Sequence, residues 1–111
     1  MALQVYICPR AGRQIEGLPK AVRDRIRGKL LELSDNPRPS GCKVLEASSD
    51  IYRIRVGDYR ATYCIRDDKL MILVLRVANR REIYDRKEVR GMVKDAKEWL
   101  AARRQEAKDD K

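Results

Sequence analysis

In "LQVYIC", Leu3, Val5 and Ile7 alternate with Gln4, Tyr6 and Cys8, the period of a half-buried strand. Pro9 ends that alternation, and the period lengthens. Ala11, Ile15 and Leu18 recur at helical spacing until Gly17 closes the segment, and Val22, Ile26, Leu30 and Leu33 form one stripe in the next. Two helices are therefore expected after the first strand, and the two prolines of "SDNPRPSG" stop the second. Beyond them "CKVLEA", "IYRIRV", "YRATYCIR" and "LMILVLRVA" read as four strands in a meander. Its tight turns fall at Gly57-Asp58, where glycine in first place suits a type II′ hairpin, and at Asp67-Asp68 before Lys69. "LMILVL" is apolar at both alternations, as a central strand covered on both faces must be. From Asp85 onward Val89, Met92, Val93, Ala96 and Leu100 return to helical spacing until the tail "RRQEAKDDK" becomes wholly polar, and the last residues are expected to fray. The predicted fold class is α+β. A small, mostly antiparallel sheet of four to five strands carries two N-terminal helices and one C-terminal helix, in the order β-α-α-β-β-β-β-α.

Composition narrows what such a domain does. A chain of 111 residues supports one core, burying roughly two-thirds of its unfolded surface. Lysine and arginine number 26 against 17 acidic residues, and the net charge of +9 favours polyanionic partners. There is no histidine, which removes Ser-His-Asp and Cys-His nucleophile systems, histidine bases and most zinc sites. Catalysis, if present, runs on Arg, Lys, Tyr, Asp or Glu. Cys8, Cys42 and Cys64 are widely spaced and odd in number, which fits buried thiols better than a disulfide framework or a zinc site. The Asp67-Asp68 pair is ordinary turn chemistry, so no metal is expected. Trp99 lies beside the apolar stripe of the last helix and reads as a packing residue. No run approaches the roughly 20 apolar residues of a membrane span, and the N-terminus lacks the order of a secretory signal. A cytoplasmic protein is expected.

The hairpin "YRIRVGDYRATY" is the most informative stretch. A two-residue turn at Gly57-Asp58 sets Val56 opposite Tyr59, Arg55 opposite Arg60, Ile54 opposite Ala61 and Arg53 opposite Thr62. Tyr52, Ile54, Val56, Tyr59, Ala61 and Tyr63 then share one face, and Arg53, Arg55 and Arg60 the other. Like charges directly opposed across strands are unfavourable. An anionic ligand, phosphate or carboxylate, relieves them and suits the guanidinium fork; splaying into solvent or pairing with Glu46 or Asp50 are the alternatives.

The segment "YRIRVGDYRATYCIRDDKLMILVLRVANRREIY", preceded by "LPKAVRDRIRGKLLELSDNPR", resembles the RelE family of toxins over residues 1 to 86, leaving 87–111 as a C-terminal helical extension with a polar tail. The resemblance is carried most specifically by the Y-R-I-R-V-G-D-Y-R hairpin and the R-R-E-I-Y ending. It implies a metal-independent endoribonuclease, needing no cofactor, that cuts mRNA in the ribosomal decoding site. Its partners would be mRNA, the ribosome and an acidic, partly disordered antitoxin. Carried over by position, Arg60 resembles the arginine at the scissile phosphate, Arg80 the second catalytic arginine and Tyr84 the tyrosine that activates the nucleophile. Arg53 and Arg55 stand where well-studied members have lysine, and Asn79 where many have histidine; a guanidinium stays charged, so Arg53 and Arg55 would act by electrostatics alone. Lys43 and Arg81, with Arg53 and Arg55, are the remaining RNA-binding candidates. Two other readings share the scaffold: a ParE-like toxin that inhibits DNA gyrase, and a basic RNA-binding module without chemistry.

Overall fold

In a computed structural model that describes residues 2–45, 51–79 and 86–109, the elements follow the predicted order. These are β1 (Gln4–Ile7), α1 (Pro9–Glu16), α2 (Lys20–Glu32), β2 (Lys43–Val44), β3 (Ile51–Val56), β4 (Tyr59–Arg66), β5 (Met71–Asn79) and α3 (Arg86–Asp109). The five strands form one sheet in the order β1-β5-β4-β3-β2. β2 to β5 are the expected antiparallel meander, and β1 lies parallel to β5 with Gln4 opposite Met71 and Ile7 opposite Val74.

The helices form where the apolar stripes require. Pro9 occupies the first turn of α1, where its missing N–H costs no hydrogen bond, and Ala11 and Ile15 are buried beneath it. In α2 the buried residues are Ile26 and Leu30, followed by Leu33 at its C-cap. Pro37 and Pro39 lie in the segment that then leads to β2.

The two faces of the sheet carry different layers. Tyr63 donates its hydroxyl to the carbonyl of Pro37 at 2.8 Å, so the face it shares with Val56 and Tyr59 belongs to α2 and the segment after it. On the opposite face Arg76, paired with Thr62, reaches Asp95 of α3. Tyr6, aligned with Leu73, meets Trp99 there with ring centroids 5.2 Å apart. Both α1 and α3 pack on β5, and Met71 to Ala78 are buried, as expected for a strand covered on both sides. A bulge inserts Leu75 into β5, since Thr62 faces Arg76 while Tyr63 faces Val74.

Several local expectations change. On β1 the simple alternation fails: Ile7 is 40% exposed at the sheet edge, whereas Cys8 is buried with its thiol donating to the carbonyl of Leu75 at 3.3 Å. An edge strand sandwiched unevenly between layers has no single buried side. Only Lys43 and Val44 of "CKVLEA" pair with β3, and Glu46 and Ala47 lie outside the described residues. The Asp67-Asp68 turn is one turn of 3-10 helix, Asp67–Lys69, ended by Leu70 in the left-handed region at φ 52°. α3 continues through most of the polar tail to Asp109, and Asp110 and Lys111 lie outside the described residues. Alanine, arginine, glutamine, glutamate and lysine are all strong helix formers and need no buried face to extend a helix already begun. No helix among the described residues is long and apolar enough to cross a membrane.

Candidate RNA-binding face

The hairpin has the expected register: Arg55 faces Arg60, Arg53 faces Thr62 and Val56 faces Tyr59. Gly57 has φ +61° and Asp58 does not share a positive φ, the signature of a type II′ turn. The tip is braced from within, since Arg55 Nε donates to the carbonyl oxygen of Gly57 at 3.2 Å. β2 adds a fourth cation, because Lys43 is in register with Arg53. Lys43, Arg53, Arg55 and Arg60 line one cavity of about 240 Å³ together with Gly41 and Ile54. Lys43 and Arg55 are exposed and Arg53 and Arg60 half-buried. Among the described residues none of the four makes an ion pair; Glu46 and Asp50, the carboxylates weighed as their partners, lie outside the described residues.

The opposite face of the same hairpin is neutral and structural. Tyr52 and Tyr63 stack with centroids 5.8 Å apart, and Arg38 donates to the Tyr52 hydroxyl at 3.3 Å while pairing with Asp67 at 3.1 Å. Burial raises the pKa of Tyr63 well above the usual phenol value, and interactions with Cys42 act in the same direction. Tyr63 is therefore a permanent donor and no base. Asp67 is occupied by Arg38, and among the described residues no group of His, Cys, Asp or Glu is arranged to hold a metal.

β5 runs toward this region. Ala78 pairs with Arg60, and Asn79, the last residue of the strand, pairs with Tyr59 beside the turn. Arg80, Arg81 and Tyr84 lie outside the described residues.

Sequence reasoning passed over Arg76. It is 4% exposed, bonds Asp95 of α3 at 2.7 Å and donates to the carbonyl of Leu75 at 2.8 Å. Lys43, Arg53, Thr62 and Arg76 form one row across four strands, so the ion pair anchors α3 beside the arginine cavity. The signal was a single arginine inside "LMILVLRVA", an apolar run where a charge demands a partner.

The family profile described as ParE toxin of type II toxin-antitoxin system, parDE, matches residues 2–84. The chain belongs to the RelE/ParE toxin superfamily. As a RelE/ParE toxin of a type II toxin-antitoxin system, it is similar to the mRNA interferase toxin RelE of Escherichia coli K12. The two are 32% identical over 79 residues, which cover 68% of this chain and 82% of that one. The solved archaeal RelE–RelB complex of Pyrococcus horikoshii OT3 contains a similar fold, with a TM-score of 0.65 at 28% identity, covering 75% of this chain and 100% of that one. A free-state mutant of E. coli RelE gives a TM-score of 0.63 at 28% identity, covering 73% and 86%. α3 begins beyond the stretch that the family profile matches.

Proposed function

We propose that this RelE/ParE toxin is a ribosome-dependent endoribonuclease that cuts mRNA in the decoding site. The observation that carries the reading is the open cavity lined by Lys43, Arg53, Arg55 and Arg60, four cations on one sheet face without a carboxylate partner among the described residues. The name of the E. coli relative, an mRNA interferase, supports the same substrate.

In the proposed reaction the 2′-hydroxyl before the cut attacks the adjacent phosphorus, leaving a cyclic phosphate and a free 5′-hydroxyl. Arg60, with Arg53 or Arg55, stabilises the charge that grows on the nonbridging oxygens, and preorganised stabilisation of this kind is usually the largest catalytic contribution. Tyr84 takes the proton from the attacking hydroxyl. A phenol of pKa near 10 is ionised in only about one molecule in 1,000 at neutral pH, so this role requires cations that favour the phenolate when substrate is bound. Arg80 follows Asn79 directly in sequence and is assigned to the leaving oxygen, which gains its proton from Arg80 directly or through water. Lys43 and Arg81 grip flanking RNA. This mechanism needs no metal or cofactor, and it depends on RNA because DNA lacks the attacking hydroxyl. The ribosome supplies the in-line geometry that such weak acid-base groups do not enforce. An acidic, partly disordered antitoxin is the proposed inhibitor; the P. horikoshii relative was crystallised with RelB.

The test is to add the protein to a translating extract and map the 5′ ends of mRNA fragments. Cuts in the decoding site that disappear with Tyr84→Phe are the expected result. A second reading, inhibition of DNA gyrase, is favoured by the description of the matching family as ParE. Under that reading purified protein blocks supercoiling and leaves translated mRNA intact.

A further inference from the structure

The five cations of α2 are not equivalent. Lys20 pairs with Asp24 at 3.3 Å, Arg23 with Glu16 at 3.8 Å, Arg27 also with Glu16, and Lys29 with Glu32 at 3.4 Å. Arg25 makes no ion pair among the described residues, although it is as exposed to solvent as its neighbours. Its guanidinium lies instead against the hairpin turn. A methyl group built on Gly57 would sit 3.3 Å from Arg25 Nη1 and 3.7 Å from its Cζ. The carbonyl of the same glycine accepts from Arg55. The turn is therefore flanked by two guanidinium groups, Arg55 from β3 and Arg25 from α2, with Arg60 one residue past Tyr59.

Helix α2 could neutralise Arg25 as cheaply as it neutralises Lys20 or Lys29, by a carboxylate one turn away. It carries Ala21 and Lys29 at those positions instead. The unpartnered charge is thus confined to the one α2 cation that reaches the arginine hairpin. Beside it Val22, Val56 and Tyr59, with Gly57 and Asp58, wall a cavity of about 160 Å³. An aliphatic and aromatic wall next to a guanidinium suits a nucleotide, whose base has an apolar face and whose phosphate is anionic.

We infer that Arg25 binds an RNA backbone phosphate flanking the one held by Arg60, so that the RNA strand passes over the Gly57 turn from the arginine cavity onto the α2 side. This rests on the RNA-cleavage reading and extends it by a contact from a different element. The inference gives the glycine a role as well. Without a side chain at position 57, the strand is able to approach both guanidinium groups at once.

The experiment compares Arg25→Gln with Arg27→Gln. Each variant lowers the net charge of +9 by one on the same helix, and only Arg25 is assigned an RNA contact. Binding to a short single-stranded RNA carrying 2′-O-methyl groups, which cannot be cut, is measured by fluorescence anisotropy across a range of salt concentrations. Loss of one phosphate contact reduces the slope of log K against log salt by about 0.7. Arg25→Gln is expected to show that reduction, and Arg27→Gln to keep the wild-type slope. Equal slopes for Arg25→Gln and wild type overturn the inference, as they would if Arg25 served an acidic protein instead. Equal reductions in both variants also overturn it, since net charge alone would then explain the loss. Wild-type protein that binds this RNA while leaving translated mRNA uncut removes the cleavage reading and leaves the slope comparison to decide the contact.

Discussion

Arg55 and Arg60 face each other across a strand pair, an arrangement that costs stability in the free protein and suits a phosphate between them. Arg60→Ala is therefore expected to act in opposite directions on two measurements. Cleavage in a translating extract falls by about 10² to 10³, the usual loss for one preorganised donor, while thermal stability holds or rises slightly. Tyr63 illustrates the other face. Its folded-state pKa is raised above the ordinary 10.0, so the stability contributed by the protonated hydroxyl is complete below about pH 10 and is lost as pH climbs toward the folded value. Tyr63→Phe, which leaves the Pro37 carbonyl without its donor, should cost about 1 kcal/mol near neutrality in urea unfolding and should flatten the alkaline fall in stability. At this scale the hairpin was fully legible, because two-residue loops fix register and register fixes which residues oppose. Arg25 was not, because its significance lies in what it lacks. Five cations on a helix look alike until the positions of Glu16, Asp24 and Glu32 in space show which of them are answered.

Among the elements, α3 is held by one buried ion pair and an aromatic contact. Arg76 bonds Asp95, and Tyr6 meets Trp99, with Arg103 4.3 Å above the Tyr6 ring and donating to its hydroxyl at 2.6 Å. Asp95→Ala strands a buried guanidinium. A fully buried pair broken in this way costs about 3 to 5 kcal/mol, but water reaches Asp95, whose side chain is 30% exposed, so about 1 to 3 kcal/mol is expected in urea unfolding. The double substitution Arg76→Met with Asp95→Leu should recover most of it, since apolar replacement of a buried pair is often neutral. The stripe of α3 was readable from Val89, Met92 and Ala96, all buried. Its anchor was less so, because the partner of a lone arginine in a strand is set by helix placement, which periodicity does not specify. For β1 the alternation misled, since an edge strand between unequal layers buries Cys8 and leaves Ile7 at the rim.

For the molecule as a whole, the meander order followed from turn positions, whereas the neighbour of β1 did not, because no local turn joins it to β5. That parallel pairing also bears on how the chain is made. Gln4 meets Met71, so the first strand waits, unpaired, until both N-terminal helices and the β2–β4 strands have been synthesised. Val5→Ala should accordingly speed unfolding in stopped-flow measurements while changing refolding little, as expected for a contact formed late. The sheet therefore closes at its β1 edge last, after the hairpin of β3 and β4 that carries Arg53, Arg55 and Arg60 has been made.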